Sequence, residues 1–219
     1  KFLRTADIDI SFQPKKFVTP YGVFENVNLR VVLEEDALNV RPLEARYADS
    51  DLRGDFSLDA RGQTPLVGLS LRSPDIQIGQ LFKDFANLDV LEGSGAIDIA
   101  LSGSGNSIAA IAGSLDGHAR QLMGKGRMRN EGLGYVSGLF SGIGEALGGK
   151  SWVAVDCMAN DFEFKDGVAT SRVNLLSTEV IILTAEGSIN LGSEDYKMKV
   201  KPRPRGFDLS LAVPVLIRG

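Results

Sequence analysis

Apolar and polar residues alternate with a period of two along most of this chain, and no other feature of the sequence constrains the fold as strongly. Val27, Leu29 and Val31, for example, alternate with Asn28 and Arg30. Successive side chains of a β-strand point to opposite faces of a sheet, so each such run predicts a strand with one apolar and one solvated face. The pattern recurs in Leu52/Phe56/Leu58, Ile97/Ile99/Leu101, Phe162/Phe164, Tyr196/Met198/Val200 and Phe207/Leu209/Leu211/Val213.

The segments that join these runs are short and rich in turn residues. Residues 34–36, 165–167 and 192–195 combine Asp, Glu, Gly and Ser, which suit tight turns. Short turns between alternating strands predict an antiparallel meander. The predicted fold is therefore mainly β, a curled and elongated sheet with a few short helices.

Pro42 lies where the alternation changes phase. Leu38 and Val40 fall in one phase, whereas Leu43 and Ala45 fall in the other. Proline has no amide hydrogen to donate to a neighbouring strand, so inside a strand it marks an edge or a bulge. We therefore predict a kinked strand here.

Helical periodicity is confined to three stretches. Residues 76–85 and 107–112 each predict a short helix. The third stretch, residues 133–147, has apolar residues at helical spacing, but several glycines interrupt it, and each interior glycine costs about 1 kcal/mol relative to alanine. A pliable helix that depends on packing is predicted there.

The chain of 219 residues is long enough for one large or two small domains. The predicted boundary lies near residue 92, which gives β-rich modules at 1–92 and 93–219, the second with a helical excursion near 131–149. No run approaches the roughly 18 apolar residues of a transmembrane helix, and no signal peptide opens the chain. Both ends read as cuts through a longer protein.

Composition and residue counts argue against several function classes. A formal net charge of −4 is unfavourable for a protein that must neutralise nucleic-acid phosphates, so no nucleic-acid partner is expected. The single histidine, His118, and the single cysteine, Cys157, both fall in strand patterns and are interpreted as structural residues. Acidic clusters at residues 34–36 and 49–51 occupy turns. We expect no enzyme activity, catalytic residue, metal or cofactor.

Several motifs, taken in order, resemble the AsmA family of bacterial envelope proteins, in particular its C-terminal region. The resemblance rests on the order of weak motifs along most of the chain. The glycine-rich strand at residues 93–105, followed by Leu115-Asp116-Gly117, is the most recognisable. The other matching segments are residues 38–43, 52–59, 73–81, 185–191 and 213–219.

This resemblance implies a function in the cell envelope. Members are usually anchored by an N-terminal inner-membrane helix, with the remainder in the periplasm, and are implicated in outer-membrane biogenesis and lipid transport between membranes. Phospholipid or another envelope lipid is the implied partner. The anchor is missing from this stretch, so attachment to the inner membrane is expected only of the longer protein.

One apolar sheet face must be covered, because exposed apolar surface costs about 25 cal/mol per Å². In one interpretation the sheet curls and the apolar rows line a groove for acyl chains. In the other, the same rows meet a second layer and form the core of a scaffold, assembly or chaperone-like module that binds protein clients. The candidate groove residues are Leu52, Phe56, Leu58, Ile97, Ile99, Leu101, Phe207, Leu209, Leu211 and Val213.

Overall fold

The computed structural model describes residues 7–129, 151–205 and 214–219. These residues form thirteen strands and two short helices. In chain order, the elements are β1 (Ile8–Phe12), β2 (Lys16–Thr19), β3 (Gly22–Glu34), β4 (Ala37–Tyr47), β5 (Ser50–Asp59), β6 (Leu66–Gln77), α1 (Ile78–Ala86), β7 (Leu91–Ser104), α2 (Ile108–Ala112), β8 (Asp116–Arg129), β9 (Trp152–Lys165), β10 (Val168–Thr178), β11 (Ile181–Asn190), β12 (Asp195–Pro204) and β13 (Val215–Arg218).

The described strands build a single antiparallel sheet in which, from β3 onward, each strand pairs with the next along the chain. Strands β1 and β2 both pair with β3 and are successive parts of one edge. The opposite edge is β13, which pairs with β12, and the two edges are not paired with each other. The sheet is therefore open, and the predicted mainly β antiparallel meander is confirmed.

The connections alternate between two ends of the sheet. The turn at Ala48-Asp49, helix α1 and the turn at Glu179-Val180 lie at one end, which we call the α1 end. The turn at Glu35-Asp36, helix α2 and the turn at Asp166-Gly167 lie at the other, the α2 end. Each long strand runs from one end to the other.

A bulge at Pro42 gives strand β4 its predicted kink. The register of β4 against β5 shifts between Val40 and Leu43, so Val40 lies opposite Phe56 and Leu43 lies opposite Gly54. Because of the bulge, the apolar residues before Pro42 and those after it point to the same face of the sheet. Register shifts also interrupt β6 against β7 and β10 against β9. Because bulges bend a strand and increase its twist, they curl the sheet.

Helix α1 covers part of the sheet at the α1 end. Ile78 at its first turn is 2% exposed, and Leu81 packs against the core. Asn87 ends the helix in the left-handed conformation and donates its backbone N–H to the carbonyl of Phe82. The short helix predicted at residues 76–85 is confirmed with shifted bounds, since it spans Ile78–Ala86 and residues 76 and 77 belong to β6. Its apolar stripe has a sheet surface to cover.

Helix α2 is a single short turn at the other end. The Ser107 hydroxyl caps it by accepting a hydrogen bond from the N–H of Ala110 at 3.1 Å. Beyond the helix, the N–H of Gly167 donates to the carbonyl of Leu115 at 3.0 Å, so this connection lies against the β9–β10 turn. The helix predicted at residues 107–112 is confirmed, whereas the one at 133–147 lies outside the described residues.

The boundary predicted near residue 92 stays a prediction. Strand β6 precedes it and most of β7 follows it, and the two strands pair from Leu66 with Ser104 to Gln77 with Ser94. Hydrogen bonding in the sheet is therefore continuous across this position.

Candidate functional site

One face of the sheet is apolar across every described strand from β1 to β13, and we call it the inner face. Cross-strand register places the apolar phase of each strand against the apolar phase of the next. Its members besides the predicted residues include Ile8, Ile10, Phe12, Leu29, Val31, Leu33, Leu38, Val40, Val67, Leu69, Leu71, Met158, Phe162, Phe164, Leu183, Ile189, Met198, Val200, Val215 and Ile217.

The structure brings six of the ten candidate groove residues onto this face. Leu52, Phe56 and Leu58 lie on β5, and Ile97, Ile99 and Leu101 lie on β7. Strand β6 separates the two groups and fills the space between them with its own apolar residues, since Leu69 lies opposite both Phe56 and Leu101. Four candidates, Phe207, Leu209, Leu211 and Val213, lie outside the described residues.

Burial divides the inner face into two halves. Toward the α1 end, Tyr47, Ile76, Met123 and Ile181 are at most 2% exposed and belong to one core cluster. Leu52 and Ile97, at 9% exposure, join the same cluster. Toward the α2 end the side chains of the inner face are mostly half-buried, including Phe56, Leu58, Ile99 and Leu101.

The inner face reaches the first edge of the sheet without losing its apolar character. Ile10 and Phe12 on β1 are 54% and 43% exposed, and Phe17 on β2 is 44% exposed. Phe12 and Phe17 meet edge to face, with ring centroids 5.8 Å apart. Apolar side chains therefore continue to the open edge, where no further described strand covers them.

The opposite, outer face is charged. Arg72, Asp98, Arg120 and Asp161 occupy directly paired positions on β6 to β9, so opposite charges alternate across four strands. Nε of Arg72 lies 2.9 Å from Oδ1 of Asp98, and Nε of Arg120 lies 3.3 Å from Oδ1 of Asp161. The contact with Arg72 holds the pKa of Asp98 below its usual range. Solvent therefore meets a ladder of ion pairs on this side.

The basic run near the C-terminus belongs to the same outer face. Lys201 Nζ lies 2.7 Å from Oε1 of Glu186, and Arg205 Nη1 lies 2.9 Å from Oδ2 of Asp156. Pro202 and Pro204 lie beyond the part of β12 that pairs with β13. Both prolines still pair with β11, opposite Leu183 and Ile181, so this stretch of β12 has a described neighbour on one side.

A depression of about 400 Å³ on the outer face has two carboxylates in its lining. It is lined by Asp55 and Asp116 together with serines of β5, β6 and β7. Asp116 accepts hydrogen bonds from the N–H of Asp166 and from Lys165 Nζ, and these hold its pKa below the usual range. This direction is the opposite of the raised pKa that a general acid needs.

The single histidine and the single cysteine of the chain also lie on strands. His118 lies on β8, with Nε2 3.5 Å from Oδ1 of Asp98, and Cys157 is a half-buried free thiol on β9. Within the described ranges, no group of three His, Cys, Asp or Glu side chains could hold a metal ion. The expectation that the chain is not an enzyme stays a prediction.

A band of polar side chains crosses the apolar inner face, and sequence reasoning missed it. Ser73 on β6 and Gln121 on β8 both lie opposite Ile97, and Gln121 also lies opposite Asn160 on β9. Asn160 Nδ2 donates to Gln121 Oε1 at 2.6 Å. The signal was present, because Gln121 occupies the apolar phase between Ala119 and Met123.

The polar band continues onto β10 and ends at β11. Asn174 lies opposite Asn160, and its Nδ2 donates to Ser171 Oγ at 2.6 Å. Ser171 Oγ in turn donates to the carbonyl of Ala185 at 3.3 Å. Five polar side chains thus form one transverse line, which separates the closed half of the inner face from the half-buried half.

Neither described helix has the length and apolar composition needed to cross a membrane.

Comparison with known proteins agrees with the family features seen in the sequence. The chain is 24% identical over 218 residues to the AsmA family protein YhjG of Escherichia coli (strain K12). The match covers 97% of this chain but 32% of YhjG, so the chain spans about a third of that relative's length. No solved structure gives a significant match. The sequence profile of the AsmA family matches residues 1–173, and the chain therefore belongs to the AsmA family.

Proposed function

We propose that this chain is a non-enzymatic periplasmic segment that binds or conducts phospholipid along its inner face. The acyl chains lie against the half-buried apolar residues toward the α2 end, and the polar head groups stay near solvent. No covalent bond is made or broken. In the longer protein, an N-terminal helix anchors the segment to the inner membrane, and the transported lipid serves outer-membrane biogenesis.

The observation that carries this proposal is the contrast between the two faces of one open sheet. The inner face presents apolar side chains from β1 to β13, whereas the outer face presents ion pairs at the same register. A protein that needed only a closed core would bury its large apolar side chains throughout. Here Phe56, Ile99 and Leu101 remain half-buried, and Ile10 and Phe12 at the edge are exposed.

Family membership supports an envelope-related function. AsmA proteins are envelope proteins, and this chain matches the family over most of its length. Lipid is the abundant apolar ligand of that compartment, and each apolar Å² that an acyl chain covers removes about 25 cal/mol of unfavourable exposure. A location in the cell envelope and a lipid ligand are thus consistent with each other.

The competing function is a scaffold or client-binding module. The closed half of the inner face favours it, because residues such as Tyr47, Ile76 and Met123 form an ordinary packed core. The two edges that no further described strand covers also offer backbone groups that could add a client strand. In that case added phospholipid does not bind, and an extended client peptide does.

The deciding experiment is native mass spectrometry of the chain purified from a bacterial envelope with minimal detergent. Stoichiometric phospholipid, identified after organic extraction, supports the proposal. A lipid-free mass that added phospholipid does not change, in a protein with an intact circular dichroism spectrum, contradicts it.

A pair of adjacent substitutions locates the ligand on the inner face. Leu101→Lys places a charge among half-buried apolar side chains, whereas Ser102→Lys places the same charge on the solvated outer face. We expect the first to lose bound lipid and the second to keep it. Leu101→Trp fills the same space without a charge, so loss of lipid in that variant excludes an effect of misfolding by charge burial.

A further inference from the structure

The polar band contains two hydrogen-bond donors that have no partner among the described residues. Ser73 is 2% exposed, and its Oγ has no hydrogen-bond partner among the described residues. Gln121 Nε2 is likewise buried and unpartnered there, although Gln121 Oε1 accepts from Asn160. A buried donor without an acceptor is unfavourable, and native proteins keep few of them.

The residue directly opposite Ser73, Ile97, offers no acceptor, and Gln121 Nε2 makes no hydrogen bond to the amide oxygen of its neighbour Asn160. Ser73 lies between Leu71 and Ile76 along β6 and beside Ile97 of β7. Gln121 lies beside the same Ile97 from the other side, so the two donors are two strands apart, about 10 Å at ordinary strand spacing. The backbone carbonyls around them belong to the sheet ladder. A molecule that lies on the inner face would supply acceptors to both donors.

We propose that the polar band holds the glycerol ester region of a diacyl lipid, with the ester carbonyls accepting hydrogen bonds from Ser73 and Gln121. This inference rests on the proposed function and narrows it to a ligand class. An ester carbonyl accepts but does not donate, which matches two unpartnered donors. The acyl chains then lie toward the α2 end. The glycerol lies along the polar band, which continues through Asn160 and Asn174.

The position of the band fits this amphiphile. It borders the half-buried half of the inner face, so acyl chains that lie on that half bring their ester carbonyls to the band. In the lipid-free chain both donor atoms are buried. A lipid that brings its carbonyls to the two atoms relieves the unfavourable burial.

The test compares two phospholipids that differ only in the carbonyls. Dipalmitoyl phosphatidylethanolamine and its dihexadecyl diether analogue are offered from vesicles, and bound lipid is quantified by native mass spectrometry. The chain should bind the ester lipid about 3- to 10-fold more tightly for each hydrogen bond made. Equal binding of both lipids overturns the ester inference and leaves the proposed function standing. Binding of neither lipid overturns both.

Substitutions in the polar band test whether its donors cause the preference for the ester lipid over the diether lipid. Ser73→Ala removes a donor that has no protein partner, so lipid-free stability should hold while the ester preference falls. The double variant Q121M/N160L removes the second donor together with its hydrogen-bonded neighbour. Asn39→Leu, a polar-to-apolar change at an exposed outer-face position, should keep the full preference. Retention of the ester preference in Ser73→Ala combined with Q121M/N160L contradicts the inference.

Discussion

The phenol of Tyr47 donates a hydrogen bond to Oδ2 of Asp84 at 2.5 Å, and this contact joins strand β4 to helix α1. Gln80 donates to the other carboxylate oxygen of Asp84 at 2.8 Å, so the acceptor is fixed from two sides. Tyr47 is 2% exposed and its ring lies 5.2 Å from that of Phe24. This contact holds the helix over the closed half of the inner face.

Tyr47→Phe should destabilise the fold by about 1–3 kcal/mol, because it removes a hydrogen bond to a charged group and keeps the ring. Urea denaturation gives the free energy of unfolding, and hydrogen exchange should show the largest loss of protection in α1. Tyr196→Phe is the matched control, since Tyr196 is 38% exposed on β12. Equal stability of the two variants would contradict the importance of the Tyr47–Asp84 contact.

The same contact predicts a pH dependence at both extremes. The hydrogen bonds from Tyr47 and then from Gln80 lower the pKa of Asp84, so the unfolded chain binds more protons there and stability falls as the pH drops below about 4. Burial, followed by the hydrogen bond to Asp84, raises the pKa of Tyr47, so stability falls as the pH rises above about 10. The loss of stability at low pH and the loss at high pH should both be smaller in Tyr47→Phe. The free energy of unfolding, measured across this pH range, checks this.

Two adjacent residues of β8 test the assignment of the faces. Met123 is fully buried on the inner face, whereas Leu122 is 59% exposed on the outer face. Met123→Ala should cost about 2–5 kcal/mol through lost burial and the cavity that remains. Leu122→Ala should stay within about 0.5 kcal/mol of the parent in the same thermal or urea unfolding assay. Reversal of this order would mean that the faces are exchanged.

Glycines in β8 provide a second matched pair. Gly117 has a φ of +128°, and a Cβ placed there would meet the carbonyl oxygen of Ala100 at 2.0 Å. Gly117→Ala should therefore cost about 2 kcal/mol or more. A Cβ on Gly124 meets nothing within 4 Å, so Gly124→Ala should be neutral or slightly stabilising. Similar unfolding midpoints for both variants would disprove the close approach of Gly117 to β7.

Local backbone geometry explains what could be predicted from the sequence. A strand places every second side chain on one face, so the alternation of Leu52, Phe56 and Leu58, or of Ile97, Ile99 and Leu101, determines the element and the face at once. The short helix that begins at residue 78 was predicted in the same way, from apolar residues at helical spacing. The bulge at Pro42 followed from its missing amide hydrogen. Each of these inferences depends on residues close together in the chain.

Tertiary structure alone decided which apolar residues are enclosed and which polar residues meet. Leu52 and Phe56 have the same character and the same phase, yet only Leu52 joins the packed core, because the curl of the sheet and helix α1 close one half of the face. Ser73, Gln121 and Asn160 are far apart in sequence and become one line only through the registers of β6 to β9. Alternation fixes the face of a strand, whereas pairing and bending determine what that face encloses.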